Sequence, residues 1–215
     1  MIKIPCLFER DFSNVRRPTL LKTVTSGCEW ALTSSGIPTR KRDGTACLVR
    51  DGKLYKRYDV KTSRGARVPE GAIACIPAAD LVTGHWPHWI EATGPESKWH
   101  VEAFTGLRAS DGSRFRDAAK LEDGTYELCG PRINGNPEGL PEHVFIKHGS
   151  EVLTHPRLSD EPRTWEGLHN FLLEATFEGI VFHHVEKRDV MCKIRRDDFG
   201  FPWPLSSVSS EKSSK

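Results

Sequence analysis

No pair of residues constrains this chain more than Asp51-Gly52. It separates two short strand-like runs, residues 46–50 and 53–57, and an Asp-Gly pair supplies the two positive-φ positions of a type I′ turn. A tight hairpin follows, and with it an antiparallel sheet. Other segments extend the pattern. Residues 125–129 read as a strand entered through Asp123-Gly124, and residues 179–183 and 190–195 read as a second hairpin around the charged turn 186–189. Residues 165–176 carry apolar side chains at 165, 168, 172 and 175, the spacing of an amphipathic helix. Segment 66–120 is harder to order. It reads as a long irregular insertion across one face of the sheet, with a strand at 99–104 and a polar loop at 110–116. The predicted class is α+β, antiparallel sheets flanked by helices.

Composition narrows the setting. A chain of 215 residues with 37% hydrophobic side chains suits one well-cored domain, expected over residues 1–203, followed by a disordered Ser/Lys-rich tail at 204–215. A net charge of +2 excludes a uniformly basic coat, so any nucleic-acid surface has to be a local patch. No apolar run reaches 18 residues, and the charged, proline-broken start is no signal peptide. Six cysteines without a CxxC pair read as reduced core residues, which makes the cytoplasm the expected compartment; the oligomeric state stays open, a monomer included.

Candidate chemistry begins at Lys41-Arg42-Asp43-Gly44-Thr45, where the lysine is placed just ahead of the first hairpin strand. Downstream lie Glu127 in Tyr126-Glu127-Leu128-Cys129-Gly130-Pro131, Glu178 before Gly179, and Lys193-Ile194-Arg195. Each sets charge on an apolar strand, which is costly without a partner or ligand. Alternation puts Lys193 and Arg195 on one face, opposite Cys192 and Ile194. Two neighbouring cations repel, so a shared anion such as phosphate is the natural reason for them. His85, Trp86, His88 and Trp89 read as a packed aromatic loop, with a base-stacking surface as the rival; no CxxC or HxxxH companion supports zinc. Arg64, Arg67, Arg108, Arg114 and Arg116 are candidates for a phosphate track.

Taken in order, these words resemble the covalent nucleotidyltransferase superfamily of ATP-dependent polynucleotide ligases and mRNA capping enzymes. The KxDG motif with a following threonine, and the phrase Glu127 to Pro137, are similar to small 5′-to-3′ RNA ligases. Ala46 stands where DNA ligases and capping enzymes usually carry arginine. The resemblance implies an ATP-grasp-like nucleotidyltransferase fold and an ATP-dependent RNA ligase that joins 5′-phosphate and 3′-hydroxyl RNA ends. It makes Lys41 the nucleophile that takes AMP, and since an ordinary lysine with a pKa of about 10.4 is protonated, neighbouring cations and metal must lower that value. Asp43 corresponds to the carboxylate near the nucleophile. Arg57, with Arg64 as rival, corresponds to a ribose contact. Glu127 corresponds to the acceptor of ribose hydroxyls, Phe145 to the aromatic stacked on the purine, and Glu178 to the metal-associated glutamate. Lys193 and Arg195 correspond to the cations that neutralise the transferring phosphate. The implied metal is Mg²⁺ or Mn²⁺, with Glu178 and Asp43 as its carboxylates. Only about 20 residues follow Arg195, so no C-terminal OB domain is expected, which argues against a capping enzyme. Remaining alternatives are a DNA or nick-sealing ligase, an end-modifying nucleotidyltransferase, and a non-catalytic RNA-binding module.

Overall fold

In a computed structural model, which describes residues 4–14, 18–81 and 84–205, both turn residues adopt left-handed backbone, with φ of 51° at Asp51 and 71° at Gly52. The hairpin read from the sequence is therefore present. In chain order the strands are β1 (Phe8–Asp11), β2 (Thr19–Val24), β3 (Gly36–Lys41), β4 (Thr45–Arg50), β5 (Lys53–Lys61) and β6 (Ile73–Ala74). There follow β7 (His85–Glu91), β8 (Gly124–Cys129), β9 (Val144–Lys147), β10 (Gly179–His184) and β11 (Met191–Arg195). Helices are few: α1 (Lys98–Thr105), α2 (Pro156–Ser159) and α3 (Trp165–Glu174). The class is mixed, with every strand pair between named strands antiparallel.

The chain forms two compact units, and it passes from one to the other between Arg42 and Asp43. The first comprises Ile4–Arg42 and the chain from Gly149 onward. It holds the sheet β11-β10-β3 and the β1-β2 ribbon. Helix α3 packs Leu168, Phe171 and Leu172 into a core with Ile180, Phe182, Cys192 and Ile194. Thr164 caps the helix, its hydroxyl accepting the Gly167 N–H at 3.0 Å. The second unit, Asp43–His148, holds the six-stranded sheet β6-β7-β5-β4-β8-β9 over a core of Cys47, Val49, Leu54, Ala103, Tyr126 and Leu128.

Several expectations need correction. Residues 99–104 form a helix, not a strand. Pro95 opens the preceding turn, and Gly106, with φ of 71°, closes α1 by donating its N–H to Glu102 O. Trp99 and Ala103, four apart, share the face turned to the core. Segment 66–120 is not simply an insertion over the sheet, because it supplies β6 and β7. Pro87 hid β7. The Pro87 carbonyl accepts the Cys75 N–H, and a residue's N–H and C=O point to one neighbour in an antiparallel strand. The missing donor therefore faces the two-residue edge strand β6, not β5, and the proline is tolerated. Lys41 ends strand β3 and does not lead into β4. Helix α3 stops at Glu174, two residues short of the expected end. All six cysteines are free thiols. Of the expected tail, residues 206–215 lie outside the described residues. Among the described residues no helix is long and apolar enough to cross a membrane.

Candidate active site

Strand register builds the first half of the site. In β3-β10-β11, Lys41 pairs with Gly179 and Gly179 with Arg195, while Thr39 pairs with Val181 and Val181 with Lys193. Directly paired residues share a face, and so do residues two apart. Thr39, Lys41, Val181, Lys193 and Arg195 thus share one face, because Ile180, Phe182, Cys192 and Ile194 turn the other into the core. Gly179 is the bare place between Lys41 and Arg195. A Cβ there would meet Ile194 O at 2.3 Å and Arg195 Cα at 2.8 Å, so the pairing itself requires glycine.

Glu178, only 8% exposed, forms an ion pair with Lys41, Oε2 to Nζ 2.5 Å. Lys41 also donates to the Arg42 carbonyl at 3.4 Å, and Arg42 is gripped by both oxygens of Glu151. Burial of a carboxylate is tolerated here because a cation meets it. Arg195 has an anion of its own. It donates to Asp198 through its backbone N–H and its guanidinium, each at 2.9 Å, and Arg10 binds the same carboxylate. Burial disfavours the Arg195 charge, but Asp198 outweighs it and raises the pKa. Arg195 therefore has an anion in Asp198 and does not depend on a shared one. Lys193 has no ion pair among the described residues, and burial, then the charges of Lys41 and Arg195, push its ammonium pKa down.

The Asp43–His148 unit holds the other predicted residues. Gly44 crosses β8 so closely that a Cβ would lie 2.3 Å from Leu128 O. Its N–H donates to Glu127 Oε1 at 3.1 Å, and His148 Nε2 meets Glu127 Oε2 at 2.8 Å. Asp43 Oδ1 accepts from Asn134 Nδ2 at 3.0 Å, and the Asp43 N–H donates to Glu138 at 3.0 Å. Asn134 and Asn136 reach φ of 49° and 60°, so the loop after Gly130 folds back onto the KxDG glycine. Arg57 pairs with Asp59 at 3.1 Å on β5. Phe145 on β9 is half-buried and packs edge-on against Phe104 and Tyr126. Buried Cys47 has its thiol pKa pushed up by desolvation and then by the Glu127 charge.

Comparison with known proteins bears on this arrangement. The family model "RNA ligase 1" matches residues 116–213. RNA ligase 1 of Pongo abelii is 29% identical over 236 residues, covering 80% of this chain and 69% of that protein. The Danio rerio protein of the same name is 29% identical over 228 residues, covering 79% and 69%. The Rattus norvegicus protein is 26% identical over 275 residues, covering 94% and 82%. These matches support an RNA ligase family. The span matched by the RNA ligase 1 model contains Glu127, Phe145, Glu178, Lys193 and Arg195; Lys41, Asp43 and Arg57 precede it.

Several sequence candidates turn out to be structural. His88 is 1% and Trp89 4% exposed, and Trp86 donates its indole N–H to Ile76 O, so this stretch is packed sheet. Arg116 donates to Ala103 O at the end of α1. Arg64, Arg67, Arg108 and Arg114 are exposed. His148, Asn134, Glu138 and Asp198 escaped sequence reading. For His148 the signal is register: Ile146 pairs with Glu127, so His148 stands two residues further on, in the turn just past β9.

Among the described residues no group of three or more His, Cys, Asp and Glu side chains gathers to hold a metal. Glu178 in one unit and Asp43 in the other are each a lone carboxylate of the kind Mg²⁺ uses, since that ion binds through one or two carboxylates and completes its shell with water and substrate phosphate. Neither makes a zinc site.

Proposed function

We propose that this protein is an ATP-dependent RNA ligase that works through a lysyl–AMP intermediate, with residues 1–203 as its catalytic domain. The observation that carries the reading is the sheet face where Lys41 is ion-paired to buried Glu178 and stands in register with Arg195, beside a Lys193 that makes no ion pair among the described residues. Glu178 Oε2, 2.5 Å from Nζ, is the acceptor within reach of the proton Lys41 must lose before attack. The amine then attacks the α-phosphorus of ATP, the P–N bond forms, and the bond to pyrophosphate breaks. Lys193 and Arg195 neutralise the charge that develops on the phosphate oxygens. Such positioning and charge neutralisation supply most of the acceleration in phosphoryl chemistry.

The same reading gives the second set of residues to the nucleoside. Glu127, oriented by Gly44 and His148, accepts the ribose hydroxyls, Phe145 stacks on the purine, and Arg57 contacts the ribose. A carboxylate, Glu178 or Asp43, would hold Mg²⁺, which would supply charge for the phosphates. AMP next passes to an RNA 5′-phosphate. A 3′-hydroxyl attacks that activated end, joins the strands and expels AMP. RNA ligase 1 relatives carry the substrate class by name, and the chemistry of the Lys41 face supports it here. The test supplies ATP and Mg²⁺ with a 5′-phosphorylated RNA or a nicked DNA duplex, and resolves products on a denaturing gel. Joined or circular RNA with a transient AMP-capped end is expected. Sealing of nicked DNA with no RNA product would overturn the substrate assignment.

A further inference from the structure

The Asp43–His148 unit carries a second cleft, of about 500 Å³, away from the residues given roles above. Its walls include Lys98 and Trp99 at the start of α1, Arg108 and Phe115 in the following loop, and Arg132 and His143. Three cations rest on its aromatic rings. Lys98 Nζ lies 4.5 Å and Arg132 Cζ 5.9 Å from the Trp99 ring centre, and Arg108 Cζ lies 5.4 Å from that of Phe115. All three are exposed, and none has an ion pair among the described residues. Of the two carboxylates in the lining, Glu102 is occupied: it binds His143 Nδ1 at 3.2 Å and accepts the Ala109 N–H at 2.7 Å. Glu142 is the other lining carboxylate, and Asp111, outside the lining, lies near enough to Arg108 to feel its charge.

We infer that this cleft binds an unpaired RNA nucleotide of the strand to be joined, its phosphate on Lys98, Arg108 and Arg132 and its base on Trp99 or Phe115. Single-stranded nucleic acid is gripped by this combination, cations for the backbone and ring faces for the bases. Each cation now sits on a ring that a base would need. On binding, the flexible cationic side chains move from ring to phosphate and free the ring. A volume near 500 Å³ suits one nucleotide rather than a duplex. The near-neutral net charge is compatible with this, since the positive charge is concentrated where it faces little opposing carboxylate. The occupant as RNA rests on the ligase reading, whereas its anionic, aromatic character rests on the cleft alone.

The experiment measures binding of a fluorescent 12-nucleotide single-stranded RNA to the full chain without ATP, so that it does not depend on lysyl–AMP formation. Arg108→Ala/Arg132→Ala replaces two exposed side chains, with the thermal midpoint as the check on folding; Phe115→Leu keeps the packing volume while removing the ring. The double variant is expected to weaken binding about tenfold at 0.1 M salt, and to flatten the salt slope by about 1.4, at about 0.7 per single-strand phosphate contact. Phe115→Leu is expected to weaken binding about threefold with the salt slope unchanged. Affinity within twofold of wild type in the double variant overturns the inference. So does displacement of the RNA by a glutamate-rich peptide at equal charge, which would make the cleft an acidic-protein site. Wild-type chain that binds RNA through this cleft yet takes no label from ATP would overturn the ligase mechanism and leave the cleft standing.

Discussion

The two carboxylates at the centre of the account are held in opposite ways. Glu178 is buried against a cation on a sheet face, its position fixed by the glycine that follows it and by the pairing of β10 with β3 and β11. Glu127 is held by one backbone N–H and one imidazole, on strand β8 between β4 and β9. The first arrangement couples charge to charge in a poorly solvated place, where losing either partner leaves an uncompensated ion. The second fixes the orientation of a hydrogen-bonding surface. In the proposed mechanism the first placement serves the chemical step and the second serves recognition. Variants on the two sides should therefore fail differently.

The largest expected effect lies at Glu178. Glu178→Gln retains shape but neither accepts the Lys41 proton nor balances its charge, and single-turnover lysyl–AMP formation should slow by about 10²- to 10⁴-fold. A rate within tenfold of wild type would remove Glu178 from the chemical step. Next comes Gly44→Ala. Its Cβ would lie 2.3 Å from the Leu128 carbonyl, so backbone must move, and chemical denaturation should show a loss of about 1–3 kcal/mol together with weaker nucleotide binding. Gly52→Ala meets no atom and should cost about 1 kcal/mol from its left-handed backbone alone, with nucleotide binding intact.

His148→Ala tests the recognition side. Losing one hydrogen bond to Glu127 should raise the KM for ATP about fivefold to tenfold with kcat within about twofold. An equal fall in kcat would place His148 in the chemistry instead. Smallest is the effect of Lys193→Met on stability. Burial and two neighbouring cations lower the Lys193 pKa on folding, so the folded chain binds this proton less well than the unfolded chain. The charged side chain is a penalty that is complete below the folded pKa and fades as pH rises toward the unfolded value of about 10.5. Lys193→Met should raise Tm by about 1–3 °C at neutral pH, and the gain should shrink toward pH 10.5 while ligase activity is lost. A gain independent of pH would mean packing, not charge, is responsible.

Legibility in the sequence follows the same division. The Asp51-Gly52 hairpin, the β10–β11 hairpin and α3 were readable because turn chemistry or a 3.6-residue period is local. Helix α1 was misread because Trp99, Val101 and Ala103 alternate over too short a window to separate the two periods, although Val101 in fact faces outward. Strand β7 was hidden by a proline whose missing donor points to an edge. On the site, Lys41, Glu178, Lys193 and Arg195 are readable as charges on apolar strands, and strand register brings them together. That His148 orients Glu127 and that Asn134 ties its loop to Asp43 depend on contacts between distant positions, and that Asp198 satisfies Arg195 depends on the turn that follows β11. No residue pattern encodes them.

The central claim concerns one amine, and covalent labelling tests it most directly. Wild-type chain and Lys41→Ala are incubated with α-labelled ATP, in parallel with α-labelled GTP, and Mg²⁺, then denatured. The account predicts that label from ATP stays with the wild-type polypeptide, is released by acid as expected of a P–N bond, and is absent from Lys41→Ala. Label from neither nucleotide, or equal label on both proteins, would contradict it.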